Sequence, residues 1–267
     1  MYVRAKKALG QHFLKDPKIA KRIVDSLVLS DYNENNKIDV IEVGPGTGVL
    51  TQFLANEPAI NLKLVEIDSE SVEFLKIHYP ALESSLFEDD FLRMELDDIF
   101  KGEFMVIGNF PYNISSQIFF KVLDYKGRVP QVVGMVQKEV AERLASPPGK
   151  KAYGILSVLL QAWYSIEYLF TVDENEFIPP PKVKSAVIRL RRNSRESLGC
   201  DEALFKAVIK TSFNQRRKTI RNSLKPLIGG LVLPESYLFA KRPEQLSVEE
   251  FVELTLIVNS LKETQTT

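Results

Sequence analysis

The sequence predicts an α/β fold with a mostly parallel sheet, followed by a small all-helical C-terminal domain. Three observations carry that prediction. Apolar runs of strand length alternate with helix-spaced segments as far as residue 136. The first of these runs leads straight into a glycine-rich turn and then a helix-spaced segment. Beyond residue 195 the strand signals stop and only helical spacing continues.

The elements follow in order. Asp16-Pro17 makes a cap and first-turn pair, and Ile19, Ala20, Ile23, Val24 and Leu27 mark one face of the helix it starts. Residues 37–43 read as a buried strand that runs into Gly44-Pro45-Gly46-Thr47-Gly48, and residues 49–54 suit a helix. A second strand, 62–65, ends in Glu66-Ile67-Asp68, and a third closes at Phe87-Glu88-Asp89-Asp90-Phe91. The fourth, 104–108, precedes Asn109-Phe110-Pro111-Tyr112, and a fifth lies at 133–136. Ser146-Pro147-Pro148-Gly149 breaks the chain before an apolar helix over 153–163. Residues 165–170 and 186–190 read as the last two strands, antiparallel neighbours. A domain boundary is placed at 195, giving 1–195 and 196–267. Leu204, Val208, Phe213, Phe251, Leu254, Leu256 and Val258 carry the helical pattern of the second part, and residues 263–267 are expected to be disordered.

Strand, glycine-rich turn and helix together let backbone approach a ligand closely, which singles out Gly44 and Gly46. Glu66 follows about 20 residues later at a strand end, where a carboxylate can hold ribose hydroxyls. An acid at Asp89 or Asp90 can accept from an adenine amino group while Phe91 covers the ring. The G-x-G-x-G spacing departs from the G-x-G-x-x-G of dinucleotide folds and argues against a NAD-dependent dehydrogenase. After the fourth strand, the Asn109 side-chain carbonyl and the Phe110 backbone carbonyl can each accept one N–H of an adenine amine. Pro111 fixes the turn and biases Phe110 toward extended backbone, and Tyr112 offers a face for the base. Such acceptors pull a delocalised amine toward tetrahedral geometry and aim its lone pair at a donor carbon.

The order of these sites resembles the S-adenosylmethionine-dependent N6-adenine methyltransferases, and more closely the ribosomal RNA adenine dimethyltransferases of the KsgA type. The likeness rests on residues 8–14 (Ala-Leu-Gly-Gln-His-Phe-Leu), 41–48, 108–116, 177–187 and 213–222, five segments in one order across nearly the whole chain. It implies a Rossmann-like sheet with S-adenosylmethionine held by His12, Leu14, Gly44, Gly46, Glu66, Asp90, Phe91 and Asn109. It selects Asp90 over Asp89, and it places Phe177 opposite Tyr112 in the base pocket, beside the catalytic Asn109, Phe110 and Pro111. His12 stands where many members have Asn, and Phe110 where Leu or Pro is usual; a neutral imidazole still hydrogen-bonds, and position 110 contributes its backbone carbonyl. The implied reaction dimethylates two adjacent adenosines near the 3′ end of 16S rRNA in a precursor 30S subunit, a step of ribosome biogenesis, by a cytoplasmic monomer. The nearest alternatives are a resistance-type enzyme acting on large-subunit RNA and a non-catalytic assembly factor.

Composition agrees with that implication without requiring it. The net charge is zero, but the charges are segregated: 7 bases and 1 acid over 1–22, 4 bases and 16 acids over 31–100, 13 bases and 3 acids over 182–225. Basic segments at both ends of the chain suit a polyanion, and Lys6, Lys7, Arg216, Arg217, Lys218 and Arg221 are the expected RNA contacts, the last four on one helix. Cys200 is the single cysteine, so no internal disulfide forms, and no Cys/His cluster predicts a metal. No signal peptide and no apolar run long enough to span a membrane is evident.

Overall fold

The computed structural model describes residues 3–229 and 232–266. Its strands are β1 (Phe13–Leu14), β2 (Ile38–Val43), β3 (Ile60–Glu66), β4 (Leu86–Glu88), β5 (Phe104–Asn109), β6 (Gln131–Gln137), β7 (Tyr164–Val172), β8 (Phe177–Ile178) and β9 (Ser185–Arg192). Seven of them form one sheet in the order β4-β3-β2-β5-β6-β9-β7. The pairs from β4 through β6 are parallel, and β9 runs antiparallel to β6. Because β2 leads to β3 and β4 on one side and the chain returns through β5 to β6 on the other, strand order reverses between β2 and β5. At such a reversal the crevice outside the carboxyl ends of the strands is open to a ligand.

The five parallel strands lie where the apolar runs predicted them, each within a few residues. Val40, Ile41, Val106 and Ile107 have no exposed surface, as central parallel strands covered on both faces require. The expected neighbours near 165–170 and 186–190 are β7 and β9, tied across by Arg189 and Glu167 at 2.8 Å. Between the strands stand α1 (Pro17–Val24), α2 (Thr51–Leu54), α3 (Ser69–His78), α4 (Leu96–Ile99), α5 (Ser115–Asp124) and α6 (Lys138–Leu144). Asp16 caps α1 by accepting from the Lys18 N–H at 2.7 Å, and Ala20, Ile23 and Val24 face the core.

The chain divides into two compact units, Met1–Ala141 with Ser165–Arg192, and Glu142–Tyr164 with Asn193–Thr267. The sequence placed a single cut at 195; the units differ from it at residues 142–164 and 193–195. Their helix α7 (Ile155–Gln161) buries Leu156, Val158, Leu159 and Leu160 and packs on α8 (Glu202–Asn214) and α11 (Val248–Thr266). A helix that is apolar almost all round must be covered by other helices. The short α9 (Ile220–Ser223) and α10 (Lys225–Ile228) complete this unit.

Three expectations are corrected here. Residues 263–266 continue α11 rather than being disordered, while Thr267 lies outside the described residues. Leu256 is exposed, because it sits two positions from the buried Leu254 and so on the opposite side of α11. Arg216, Arg217 and Lys218 do not share a helix with Arg221: α8 ends at Asn214, a turn follows, and Thr219 precedes α9.

Candidate active site

At the reversal of strand order, the carboxyl ends of β2, β3, β4 and β5 open into a pocket. It is lined by Val43, Gly44 and Gly46 and by residues 9–13, 65–67, 89–92 and 109–114. Five of the sequence-predicted segments therefore meet in one cavity, although they run from residue 9 to residue 114 of the chain.

The glycine turn supplies the floor. Gly46 has a φ of 55°, and a Cβ there would come within 2.8 Å of the Phe13 ring. Only glycine satisfies both conditions. The Gly46 N–H donates to Glu66 Oε2 at 2.9 Å, and the Asp68 N–H donates to Glu66 Oε1 at 3.0 Å. Glu66 is 4 % exposed. Burial pushes its carboxyl up in pKa, while the Asp68 and Gly46 N–H groups pull the other way. Each oxygen keeps acceptor capacity beyond these bonds, which suits a diol.

Beneath the turn lies a second acid that sequence reading did not select. Glu42 is 0 % exposed and accepts from Thr51 Oγ1 at 2.7 Å, while its Oε1 has no partner. Burial raises its pKa to about 8, with the Glu66 charge adding to the effect and the Thr51 bond opposing it. At neutral pH the group is therefore largely a neutral acid, which a buried carboxyl with one hydrogen bond requires.

Asp89 and Asp90 both line the pocket. Asp90 Oδ1 accepts from the Leu92 N–H at 2.9 Å and Asp89 Oδ1 from the Asp90 N–H at 2.7 Å, so the turn holds both acids in place. Phe91 and Leu92 form an apolar wall there. Ile67, which sequence reading passed over, is also on the wall and 51 % exposed. A large apolar residue left open between Glu66 and Asp68 at a strand end was the available signal.

The loop after β5 forms the mouth. Asn109 Nδ2 donates to the His12 backbone carbonyl at 2.9 Å, which orients the carboxamide and leaves Oδ1 as an acceptor. Gly108 and Gly134 face each other across β5 and β6, and a Cβ would come within 2.9 Å of the Phe110 ring at Gly108, where it would also meet the Val43 carbonyl oxygen at 2.5 Å, and within 2.4 Å of that ring at Gly134. The two glycines thus make the seat that buries Phe110, so position 110 has only its backbone to offer. Tyr112 hydrogen-bonds Ser185 through its hydroxyl, and burial raises the phenol's pKa against that bond. Its ring stacks with His12, centroids 5.3 Å apart. His12 Nδ1–H donates to the Pro179 carbonyl at 2.7 Å, which fixes the ring's orientation.

Two expected site residues lie elsewhere. Phe177 is 1 % exposed and packs in the same core cluster as Leu14, opposite which it sits in the β1–β8 ladder. Neither side chain lines the pocket. Both are large apolar groups on a short strand pair whose inner face is covered, and core burial wins over the aromatic face expected opposite Tyr112. Lys6 is also not a free cation, since its ammonium pairs with Asp68 and Glu70. Lys7 is exposed.

In the second unit, Arg217, Lys218 and Arg221 are exposed, with the Arg221 guanidinium 5.7 Å from the Phe239 ring centre. Arg216 donates to the Lys151 carbonyl at 2.5 Å. That bond brings the exposed Lys150 and Lys151 beside the basic turn, an addition that sequence spacing could not show.

The model of the ribosomal RNA adenine dimethylase family matches residues 2–257. A ribosomal RNA small subunit methyltransferase A from Parabacteroides distasonis is 61 % identical over 259 residues, covering 96 % of this chain and 94 % of that protein. The protein of the same description from Bacteroides thetaiotaomicron is 58 % identical over 266 residues, covering 99 % and 97 %. Among solved structures, a dimethyladenosine transferase from Plasmodium falciparum superposes with a TM-score of 0.77 at 23 % identity, covering 94 % of this chain and 98 % of that one. The 23S rRNA methyltransferase ErmE superposes at 0.65 and 23 %, covering 90 % and 99 %. These two structures show a shared fold.

Proposed function

The chain belongs to the ribosomal RNA adenine dimethylase family, and from that premise we propose that it dimethylates N6 of two adjacent adenosines near the 3′ end of 16S rRNA in a precursor 30S subunit. The observation that carries this reading is Asn109: its amide is fixed by the His12 carbonyl, its Oδ1 is left to accept, and it shares a pocket with Glu66. That is the arrangement an adenine amine needs beside a bound adenosine cofactor.

The pocket's donor set fits S-adenosylmethionine. Glu66 would hold the ribose hydroxyls, Asp89 or Asp90 the adenine amine, and Ile67 with Phe91 the two faces of its base. Bound there, the cofactor supplies an electrophilic methyl group on a sulfonium. Asn109 Oδ1 and the Phe110 carbonyl accept the N–H groups of the target amine and draw its lone pair out of the ring. Tyr112 holds the flipped base by stacking, and its neutral phenol keeps the mouth free of charge. Once the amine carries a positive charge its proton is acidic enough to leave to water, so no strong base is required. Rate enhancement then comes mainly from alignment. The second unit, with Arg216, Arg217, Lys218 and Arg221 beside Lys150 and Lys151, supplies phosphate contacts that position the RNA without reading its sequence. In this reading the chain acts as a monomer in the cytoplasm, where the small-subunit RNA is assembled. Among the described residues no helix is long and apolar enough to cross a membrane.

The test is incubation with methyl-labelled cofactor and unmethylated small subunits, followed by mapping of the label. Label at two adjacent adenosines near the 3′ end supports the proposal. Label elsewhere in that RNA, label only when large subunits are supplied in place of small ones, or none under conditions where the cofactor binds, defeats it.

A further inference from the structure

Asp68 occupies the position preceding α3, where an aspartate ordinarily caps the helix, yet its side chain makes no capping hydrogen bond. Instead its carboxylate, 1 % exposed, collects side-chain donors from elsewhere. The Lys6 ammonium pairs with Oδ1 and lies 3.1 Å from Glu70 Oε1. Gln11 Nε2 donates to Oδ2 at 3.3 Å, and Ser71 Oγ to the same atom at 2.9 Å. Gln11 in turn accepts from the Lys6 backbone N–H at 2.8 Å, which closes a ring of bonds between Asp68 and the amino-terminal arm. Burial pushes the Asp68 carboxyl up in pKa, but the bonds from Lys6, Ser71 and Gln11 outweigh it and hold the group below its ordinary range.

The arm fastened in this way forms one wall of the pocket through residues 9–13. Its far end carries the His12 carbonyl that fixes the Asn109 carboxamide. Asp68 is joined through the Asp68 N–H to Glu66, so a single short segment connects the ribose acid, the arm and the catalytic loop. We propose that Asp68 is a positioning residue for methyl transfer: with Lys6 and Gln11 it latches the arm closed over the cofactor pocket and, through His12, sets the orientation of Asn109. The proposal rests on the methyltransferase reading. It also gives Lys6 a role at the cofactor instead of at RNA.

A latched arm must open for cofactor exchange, so the latch sets how long cofactor and demethylated product stay. The test uses the full chain and measures S-adenosylhomocysteine dissociation by stopped flow, with KM for each substrate and kcat. Lys6→Met should raise the dissociation rate and the cofactor KM about three- to tenfold, the range left for a charged hydrogen bond after solvent screening. Its kcat should fall less, and Lys6→Arg should restore both constants. Adding Asp68→Asn to Lys6→Met should change little more, since the two act through one contact. If Asp68→Asn does not fold, Asp68→Ser, which can still cap α3, with Lys6→Met gives the same comparison. Unchanged cofactor constants in Lys6→Met, with only the RNA KM raised, would overturn the latch, as would fully additive effects in the double variant. If wild type binds no cofactor, the methyltransferase reading fails; the latch is then judged by amide exchange of residues 6–13, which must still accelerate in Lys6→Met.

Discussion

Around the pocket the charged and amide groups are held in place; Arg217 and Lys218, in the turn after α8, are not. Glu66 takes two backbone N–H groups, Asp68 gathers three side chains, and Asn109 is tied to a carbonyl. Arg217 and Lys218 stand exposed after α8, with no side-chain ion pair among the described residues. The difference follows from what each region must recognise. A small cofactor and a single flipped base have to be aligned to fractions of an ångström, and preorganised dipoles do that without rearranging during the reaction. A phosphate backbone is met by mobile cations whose contribution is counterion release and tolerates imperfect geometry.

The contrast can be broken most severely at Asn109. Asn109→Ala removes an oriented acceptor, and kcat should fall on the order of 10²-fold or more with cofactor affinity little changed. A wild-type rate in single-turnover measurements would show that the fixed carboxamide is not used. Glu66→Ala should weaken S-adenosylmethionine and S-adenosylhomocysteine alike, by about 10- to 100-fold, the weight of hydrogen bonds to a charged group. Calorimetry with both ligands checks this, and a loss confined to one of them would mean that Glu66 does not contact the shared ribose.

In the exposed region the expected effect is smaller and different in kind. Replacing Arg217 and Lys218 together by alanine should lower the slope of log affinity against log salt by about one unit per lost phosphate contact. Cofactor binding should be untouched. A salt titration with an unchanged slope would make the turn ordinary solvated surface and move the footprint to Lys150, Lys151 and Lys7.

The least effect on turnover is expected at Glu42, where the readout is stability. The folded pKa of about 8 lies above the ordinary 4.5. Between those values the folded state keeps a proton that the unfolded state has lost, so this group's contribution to stability declines as pH rises from 4.5 toward 8. The slope is at most about 1.4 kcal/mol per pH unit. Glu42→Gln keeps the shape without the titration, and its stability relative to wild type should increase across that window. Parallel denaturation curves at pH 5 and pH 8 for the two proteins would remove the neutral buried acid.

How much was legible in the sequence differs between these regions for the same physical reason. Four of the five parallel strands were readable because a strand covered on both faces is largely apolar, a local property of six or seven residues, while the three-residue edge strand β4 was marked by the acids that follow it. The glycine turn, Glu66, the acids at 89 and 90 and the Asn109 loop were readable as segments because each sits at a strand end, and one pocket contains them all. The basic turn was readable as charge but not as shape: its helix was an extrapolation of periodicity past Asn214, where the chain turns.

Sequence alone, then, determined the α/β class, the order of strands along the chain, and which residue types could serve a cofactor and an amine. Local patterning decides these, since burial and backbone preference act over a few neighbours. Only the tertiary structure decided that Lys6 serves Asp68, that residues 142–164 join the helical unit, that Leu14 and Phe177 belong to the core, and that Lys150 and Lys151 stand by Arg216. Each of these depends on partners far apart in the chain, 62 residues for Lys6 and Asp68 and 65 for Arg216 and Lys151. A side chain's charge is written in the sequence; whether that charge meets a buried partner or open solvent is set by packing.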